Sequence, residues 1–412
     1  MKKKVIGTLQ LSGLIVGAVL GSGIILLPPI AHMQLHDWSI TAWTFIMSLG
    51  AVFAILFAKL ALAFPGDEGV AIAVREAFGI RAGQLVSNYI ICAVCVGPVA
   101  VLMTAAKTIS TTFSIPANFN PAIAGGLLIL CMILLMRSIT TVGTIAFASS
   151  LAIAFVLAAG SINTIITMPV YLLPVTEINI QDMGRTLLIM FWAIIGWEVI
   201  GNYTLEVRAP QKTIPMATAI GTGTICIIYI LVAVAIQSIH SSAGSINNFS
   251  MYMIVTSLLG KYSKILIMLI STALCICTYL MFVGAIARLL ATLASKEKLP
   301  VVLSKRNVND APTGSLYLLF TFHFSNLLLL HFGLITLEQV ISFANVFFLA
   351  NSLIAVSAAI KIFPSLFLRI PSILLCAGFL SLLSFSSIWP LLALLAVTIG
   401  TLRFKTLVVF QN

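Results

Sequence analysis

Long apolar runs separated by short polar connections set the pattern of this chain from one end to the other. A helix needs about 20 predominantly apolar residues to cross a hydrocarbon core. Runs near 8–31, 39–63, 83–112, 121–137, 141–168, 185–206, 214–239, 260–293, 314–332, 336–360, 370–386 and 388–402 meet or approach that length. They predict about twelve membrane-spanning helices, or eleven, since the last two are short and joined by a tight turn near Ser386. The third and eighth runs are long enough to be tilted. Between the second and third, the stretch 65–79 sets Asp67, Glu68, Arg75 and Glu76 among apolar residues, the pattern of an interfacial amphipathic helix.

Composition turns this pattern into a solvent assignment. The chain is 60% hydrophobic and only 8% charged, with a mean hydropathy of +1.15, whereas a soluble domain carries about 25% charged residues. Such a chain has too little polar surface to face water, so its solvent is lipid and its backbone polar groups must be satisfied by helices. The net charge of +11 resembles a nucleic-acid signature until the basic residues are placed. With the N-terminus inside, all 22 Lys and Arg except Lys107, Arg185, Lys261 and Lys264 fall in cytoplasmic connections or helix ends. That is the positive-inside bias, and one missed helix would scramble it. It puts both termini on the cytoplasmic side of the cytoplasmic (inner) membrane and gives no reason to expect a nucleic-acid partner. Met1 to Lys4 and the first run imitate a signal peptide, but the run continues to about Ile30 through Pro28-Pro29 without a small-residue cleavage site.

The connections near 65–81, 169–184, 240–258 and 295–313 are too short for a separate domain, so 1–412 reads as a single transmembrane domain. All seven cysteines lie in apolar segments, and Cys92-x-x-Cys95 lacks the second ligand pair or βαβ setting of a metal or redox site. No metal and no cofactor are expected. The five His and eleven acidic residues are scattered rather than clustered near one surface, which argues against an enzyme. A nucleotide-binding Gly-x-x-x-x-Gly-Lys loop is absent, and no run shows the polar stripe that a channel lining requires.

Two runs break helix rules at mid-membrane. Gly21-Ser22-Gly23 falls about halfway along the first, followed by Pro28-Pro29, and the sixth holds Gly196, Glu198 and Gly201-Asn202. A single glycine break has an ordinary explanation in close helix packing. Two breaks at matching positions point instead to a transporter binding site. Runs one to five (8–168) and six to ten (185–360) would then be two five-helix repeats, inverted because five is odd, with 370–402 as two accessory helices. A half-helix N-terminus offers N–H groups and partial positive charge to a carboxylate, and a half-helix C-terminus offers carbonyls to an ammonium. Together they suit a zwitterionic amino acid. Glu198 is the only acidic residue deep in any run, which makes it a candidate for proton uptake. A structural carboxylate capping loose backbone is the alternative.

At these breaks the chain resembles the amino acid–polyamine–organocation transporter superfamily. Gly21-Ser22-Gly23-Ile24 with Pro28 matches its first-helix signature. Phe191-Trp192-Ala193-Ile194-Ile195-Gly196-Trp197-Glu198, with Glu206, Pro210 and Pro215, follows its sixth-helix pattern, and Ala287-Arg288 through Lys298-Leu299-Pro300 is similar to its eighth-helix end. The compact length and Gly97-Pro98 are most similar to the bacterial subfamily that exports methionine and branched-chain amino acids. The resemblance implies an all-α, leucine-transporter-type fold. By the same resemblance, Ser22 and Gly23 would hold the substrate carboxylate, and the carbonyls of Val19, Trp192 and Ile195 its amine. Gly21, Ile24 and Gly196 complete the two motifs, the Trp192 ring would act as gate or wall, and Phe282 would be a pocket aromatic. Glu198 is implicated in pH response or in coupling the gates. Where arginine-exchanging relatives carry an Asn on the third helix, this chain has Pro98, Val99 and Ala100, which favours an apolar substrate, and Met103 nearby fits the same idea.

The expectation is a secondary active transporter for neutral, apolar amino acids of the methionine, leucine, isoleucine and valine class, working by alternating access and by resemblance a proton-coupled exporter. Import, exchange of another substrate class, and a sensor or channel on the same scaffold stay open. So do proton against sodium as coupling ion, for which Thr278 is a weak sodium candidate, and monomer against homodimer. Besides the amino acid, membrane lipid is the expected partner. His323 and His331 read as interfacial or packing residues, and Lys107 can snorkel to the headgroups.

Overall fold

A computed structural model describes residues 6–66, 68–137, 139–168, 174, 176–243, 251–296 and 299–403, with the backbone alone for 139–147, 198–200, 202–203 and 240–243. Met1 to Lys4, Asp67 and Lys298 therefore lie outside the described residues, as do the side chains of Glu198 and Asn202. Among the described residues there is no strand, only an isolated bridge between Ile6 and Val207. The helices are α1 (Thr8–Leu20), α2 (Gly23–Leu35), α3 (Ser39–Ala63), α4 (Val70–Phe78), α5 (Ile80–Val96), α6 (Pro98–Phe113), α7 (Asn120–Leu135) and α8 (Ile139–Thr167). They continue as α9 (Ile180–Met190), α10 (Pro210–Ala243), α11 (Tyr252–Leu259), α12 (Ser263–Ser295), α13 (Thr313–His331), α14 (Leu337–Ile362), α15 (Leu366–Ser384) and α16 (Ile388–Arg403). Among the described residues nine helical stretches are long and apolar enough to cross a membrane. The first, Thr8–Ala63, joins the first two apolar runs, while the last helix, Ile388–Arg403, is shorter.

Three of the apolar runs are divided, each for a local reason. The first stops at Gly21 and restarts at Gly23. The sixth is α9 followed by two 3₁₀ segments, Phe191–Ile194 and Trp197–Glu206, instead of one helix. The third changes at Gly97-Pro98, a division that apolar length alone did not reveal. Proline lacks the N–H that would bond the carbonyl four residues back and crowds that carbonyl. The Val94 carbonyl loses its helical donor in this way, and His323 Nε2 takes the vacant place at 2.7 Å. A carbonyl only accepts, so Nε2 carries the proton and Nδ1 accepts from the Tyr279 hydroxyl, 2.6 Å away. His323 is fully buried. An interfacial or a packing role was expected; the ring is packed in the interior, with both ring nitrogens hydrogen-bonded.

The expected amphipathic segment contains α4, which buries Ala71, Ala73, Val74 and Ala77 against α5 and α14. Its preceding loop is tied down by Glu68, which accepts from Arg75 at 2.9 Å and from Lys296 at the end of α12. Gly66 N–H donates to Thr204 Oγ1 at 3.1 Å. The start of α1 is fixed to the far end of the second 3₁₀ segment, with Ile6 N–H on the Glu206 carbonyl at 3.0 Å and Arg208 N–H on Ile6 at 2.9 Å. Around the outside, Phe155, Ile166, Phe367 and Trp389 are among many large apolar side chains left exposed. Scattered apolar residues are normal on a protein surface, but helices apolar on both faces are suited to lipid.

Candidate functional site

The first break is built by Gly21, whose backbone (φ 36°, ψ −137°) lies where side chains are strained. A Cβ there would also sit 2.6 Å from Thr278 Oγ1. The last turn of α1, whose Gly17 carbonyl already accepts from Gly21 N–H at 3.2 Å, meets Thr278 of α12. Its hydroxyl is within 2.9 Å of the Gly17 carbonyl and 3.0 Å of the Leu274 carbonyl, so it anchors the end of α1. Across the break, α2 begins. The Ser22 carbonyl accepts from Ile25 N–H at 3.3 Å and Leu26 N–H at 3.0 Å, while the N–H groups of Gly23 and Ile24, in its first turn, have no intrahelical acceptor. These donors carry the positive end of the α2 dipole.

The second break uses the same device. After Phe191–Ile194, Ile195 is extended (φ −75°, ψ 138°) and Gly196 takes φ 128°, ψ −19°. A Cβ on Gly196 would stand 3.0 Å from Val19 Cγ2 and 3.4 Å from the Ala18 carbonyl carbon. The two interruptions therefore lie against each other. Their connection is also polar, because Trp192 Nε1–H donates to Ser22 Oγ at 3.2 Å.

Between the breaks lies a small cavity of about 20 Å³, roughly enough for one water molecule. Of the residues singled out from the sequence, Val19, Gly21, Ser22, Gly23, Pro98, Trp192, Ile195 and Phe282 are on its wall. Ile24 and Gly196 are not on the wall, and neither is Met103. Ile24 is buried, and Gly196 faces Val19 and Ala18 instead. The Glu198 side chain, the expected coupling group, is outside the described ones. Sequence reasoning missed Val101, Tyr279 and Phe348 on the wall and weighed Thr278 only as an ion ligand. Phe348 of α14 carried no signal, since nothing in a uniformly apolar run marks which face looks inward. It meets Trp192 edge-on with centroids 6.4 Å apart and Phe282 at 5.7 Å, so three rings close one side of the cavity.

The wall offers hydroxyls, one indole N–H and helix-end backbone groups, and no charged side chain among the described residues. In polarity the wall matches a zwitterionic head and an apolar body, and its described side chains supply no counter-charge for a second ammonium. Its size means that Trp192, Phe282 or Phe348 must move before anything larger than water enters. A larger cavity, about 580 Å³, lies among α4, α5, α12 and α16 and includes neither break.

A sequence family described as "Amino acid permease" matches residues 6–405. The chain is similar to "L-methionine/branched-chain amino acid exporter YjeH" of Escherichia coli (strain K12), 24% identical over 424 residues, covering 98% of this chain and 97% of that one. It is similar to "Uncharacterized amino acid permease YecA" of Bacillus subtilis (strain 168), 22% identical over 301 residues, with 72% and 70% covered. A "Cadaverine/lysine antiporter" of Escherichia coli (strain K12) is 25% identical over 334 residues, covering 76% of this chain and 72% of that protein.

Proposed function

Because the chain belongs to the amino acid permease family, which it matches over residues 6–405, we propose that it carries neutral, apolar amino acids out of the cell by alternating access. That the chain is a multi-pass membrane transporter of an amino acid follows from the family and from its apolar helices. The proposal concerns substrate, direction and site. The substrate carboxylate sits at the α2 N-terminus on Ser22 Oγ and the N–H groups of Gly23 and Ile24. The ammonium faces the helix-end carbonyls of Val19, Trp192 and Ile195. The side chain lies against Pro98, Val101, Phe282 and Phe348. Trp192 closes the site by holding its ring over Ser22 through the indole N–H bond to Oγ, which leaves the Ser22 O–H proton free for the carboxylate, so the ring has to swing aside for space when an amino acid enters. Around this site, 8–168 and 185–360 form two inverted five-helix repeats, with both termini at the cytoplasmic face of the cytoplasmic membrane.

The observation that carries this reading is the uncharged wall between two converging helix breaks. A diamine or lysine would bring a second cation into a space where the described side chains offer no anion, and burying an unpaired charge is costly. The likeness to a methionine and branched-chain exporter over almost the whole length of both chains agrees with the same substrate class. For the coupling ion, which the substrate reading leaves open between proton and sodium, Glu198 is the candidate proton carrier because it is the acidic residue deep in an apolar run.

Purified protein in liposomes loaded with unlabelled leucine is expected to accumulate labelled methionine, leucine, isoleucine and valine saturably, and neither lysine nor cadaverine. Failure to exchange any amino acid overturns the reading. In cells fed methionine-containing dipeptides, the gene is expected to lower the internal methionine pool, and an unchanged or raised pool refutes export. Ser22→Ala is expected to raise the KM for leucine by about tenfold or more, the loss of one hydrogen bond to a charged group being worth about 1.5–3 kcal/mol. An unchanged KM with normal protein levels removes Ser22 from the carboxylate site.

A further inference from the structure

The cavity of about 580 Å³ that includes neither break is within the size range of small-molecule sites, about 300–1,000 Å³. Along α5 its wall runs from Ile80 to Ile91, a rise of about 16 Å. That is close to half of a hydrocarbon core about 30 Å thick, so the cavity is one leaflet deep. α13 contributes Leu318 near its start, and α16 contributes Val397, Gly400 and Thr401 near its end. Each of these helices packs on α5, whereas among the described residues they share no extensive packing with each other. Tyr317 and Ile399, the neighbours of Leu318 and Gly400, are exposed, so the gap between α13 and α16 faces the lipid. The wall divides by chemistry. Ile80, Ile91, Leu290, Leu293, Leu318 and Val397 are apolar. Ser87 and Asn88, deeper on α5, donate within the protein, to the Gly83 carbonyl at 3.1 Å and to Thr401 Oγ1 at 2.9 Å. Charge is confined to the mouth, where Glu68 and Arg75 are on the wall. There Arg75 and Lys296 both bond the one Glu68 carboxylate, which leaves that cluster one positive charge in excess. Lys305, in the connection that carries Leu303, and Arg403, at the end of α16, are exposed on the same side, while the exposed Glu76 and Arg81 offset each other.

We propose that this cavity binds one anionic phospholipid of the cytoplasmic leaflet, with its phosphate at Arg75 and an acyl chain lying on α5 between α13 and α16. The choice of leaflet follows the orientation proposed above, and the site itself is independent of the substrate reading. A basic mouth between membrane helices at the cytoplasmic face attracts an anionic headgroup, and an apolar wall one leaflet deep matches a hydrocarbon tail. A zwitterionic lipid would bring its own cation to a cluster already in positive excess. A soluble anion would leave the apolar wall uncovered. Arg75 is the contact because it is on the wall, and a guanidinium has five N–H donors, enough to bond a phosphate while keeping Glu68. The same loop reaches the second break, since Gly66 N–H donates to Thr204 Oγ1 at 3.1 Å. A lipid held here would brace that loop against α5 and α12.

The test uses full-length protein in detergent, stripped of lipid, with dioleoyl phosphatidylglycerol, dioleoyl phosphatidylcholine and soluble glycerol phosphate as probes. Binding is read by native mass spectrometry and by melting temperature. Neither readout needs transport, so a chain that exchanges no amino acid leaves the lipid site standing. Wild type should retain a single phosphatidylglycerol and bind it about fivefold tighter than phosphatidylcholine, the factor that corresponds to about 1 kcal/mol per basic side chain at an anionic lipid surface. Glycerol phosphate should not stabilise it. Arg75→Gln should bring the two lipids level, and Arg75→Lys, which keeps the charge, should preserve the preference. Gly400→Leu fills the gap without touching the charges: Gly400 is on the wall, and a Cβ there meets nothing within 4 Å. It should expel both lipids with the lipid-free melting temperature unchanged, and it decides the matter if Arg75→Gln is not recovered folded. Gly126→Leu on α7, where a Cβ is equally unobstructed, should bind lipid like wild type. Equal binding of the two lipids by wild type overturns the proposal, as does a preference that survives Arg75→Gln or lipid binding that survives Gly400→Leu. Stabilisation by glycerol phosphate equal to that by phosphatidylglycerol also overturns it, and would assign the site to a soluble phosphate.

Discussion

Gly196→Val is expected to abolish amino acid exchange while the chain still reaches the membrane. At φ 128° and ψ −19° the backbone is in a region open to glycine and strained for a β-branched residue, a cost of about 1–3 kcal/mol. The added methyl groups would extend beyond a Cβ that already stands 3.0 Å from Val19 Cγ2 and 3.4 Å from the Ala18 carbonyl carbon. Relief requires either Gly196 to leave its conformation or the last turn of α1 to shift, and both move the carbonyls proposed for the ammonium. A displacement of about 1 Å at a binding site can cost about a hundredfold in rate, and here the strain and the clash act on the same atoms. Leucine counterflow should fall at least about a hundredfold, with elution on size-exclusion chromatography like that of wild type. Gly125→Ala is the control: a Cβ there meets nothing within 4 Å, so its transport should equal wild type. Normal KM and rate in Gly196→Val would mean that the second break has no part in transport.

The second large effect concerns His323→Leu, which should lower stability sharply. Leucine fills similar space but leaves the Val94 carbonyl and the Tyr279 hydroxyl without their partners. Each orphaned buried group costs about 1–3 kcal/mol, so the loss is about 2–6 kcal/mol, a large fraction of a typical folding free energy. The physical origin of the Val94 half lies in Pro98, which removed the helical donor in the first place. Pro98→Ala returns an N–H to that carbonyl. Pro98→Ala combined with His323→Leu should therefore melt at a higher temperature than His323→Leu alone, and Tyr279→Phe should add to the recovery by removing the second orphan. Melting followed by fluorescence in detergent checks both. If the double variant melts no higher than His323→Leu, the histidine is not replacing a donor lost to proline.

The features legible in the sequence were those with local causes. The glycine pair around Ser22 and the isolated Gly196 marked both breaks, because backbone that must enter a left-handed or strained region favours glycine wherever it occurs. Apolar run lengths marked the helices and, with composition, the lipid environment. The motifs at residues 21–28 and 191–198 carried the family, which the match over residues 6–405 bears out. What stayed hidden was relational. Gly97-Pro98 was visible as a motif, yet its helix junction depends on His323, distant in sequence, to satisfy a carbonyl. Thr278 looked like a weak ion ligand because its partner, the Gly17 carbonyl, belongs to another helix. Phe348 was indistinguishable from the other aromatics of apolar runs.

The sequence by itself therefore determined where the chain is helical, where it cannot remain helical, and that its surface belongs in lipid. These depend on φ preferences, missing N–H groups and the free energy of placing polar atoms in hydrocarbon, all of which act within a few residues. Only the tertiary structure decided that the two breaks touch and that Phe348, Val101 and Tyr279 complete the wall. Neighbouring residues on a helix point about 100° apart. In a span apolar on every face no polar stripe fixes which direction is inward, so the facing of each side chain is set by packing between helices far apart in the chain.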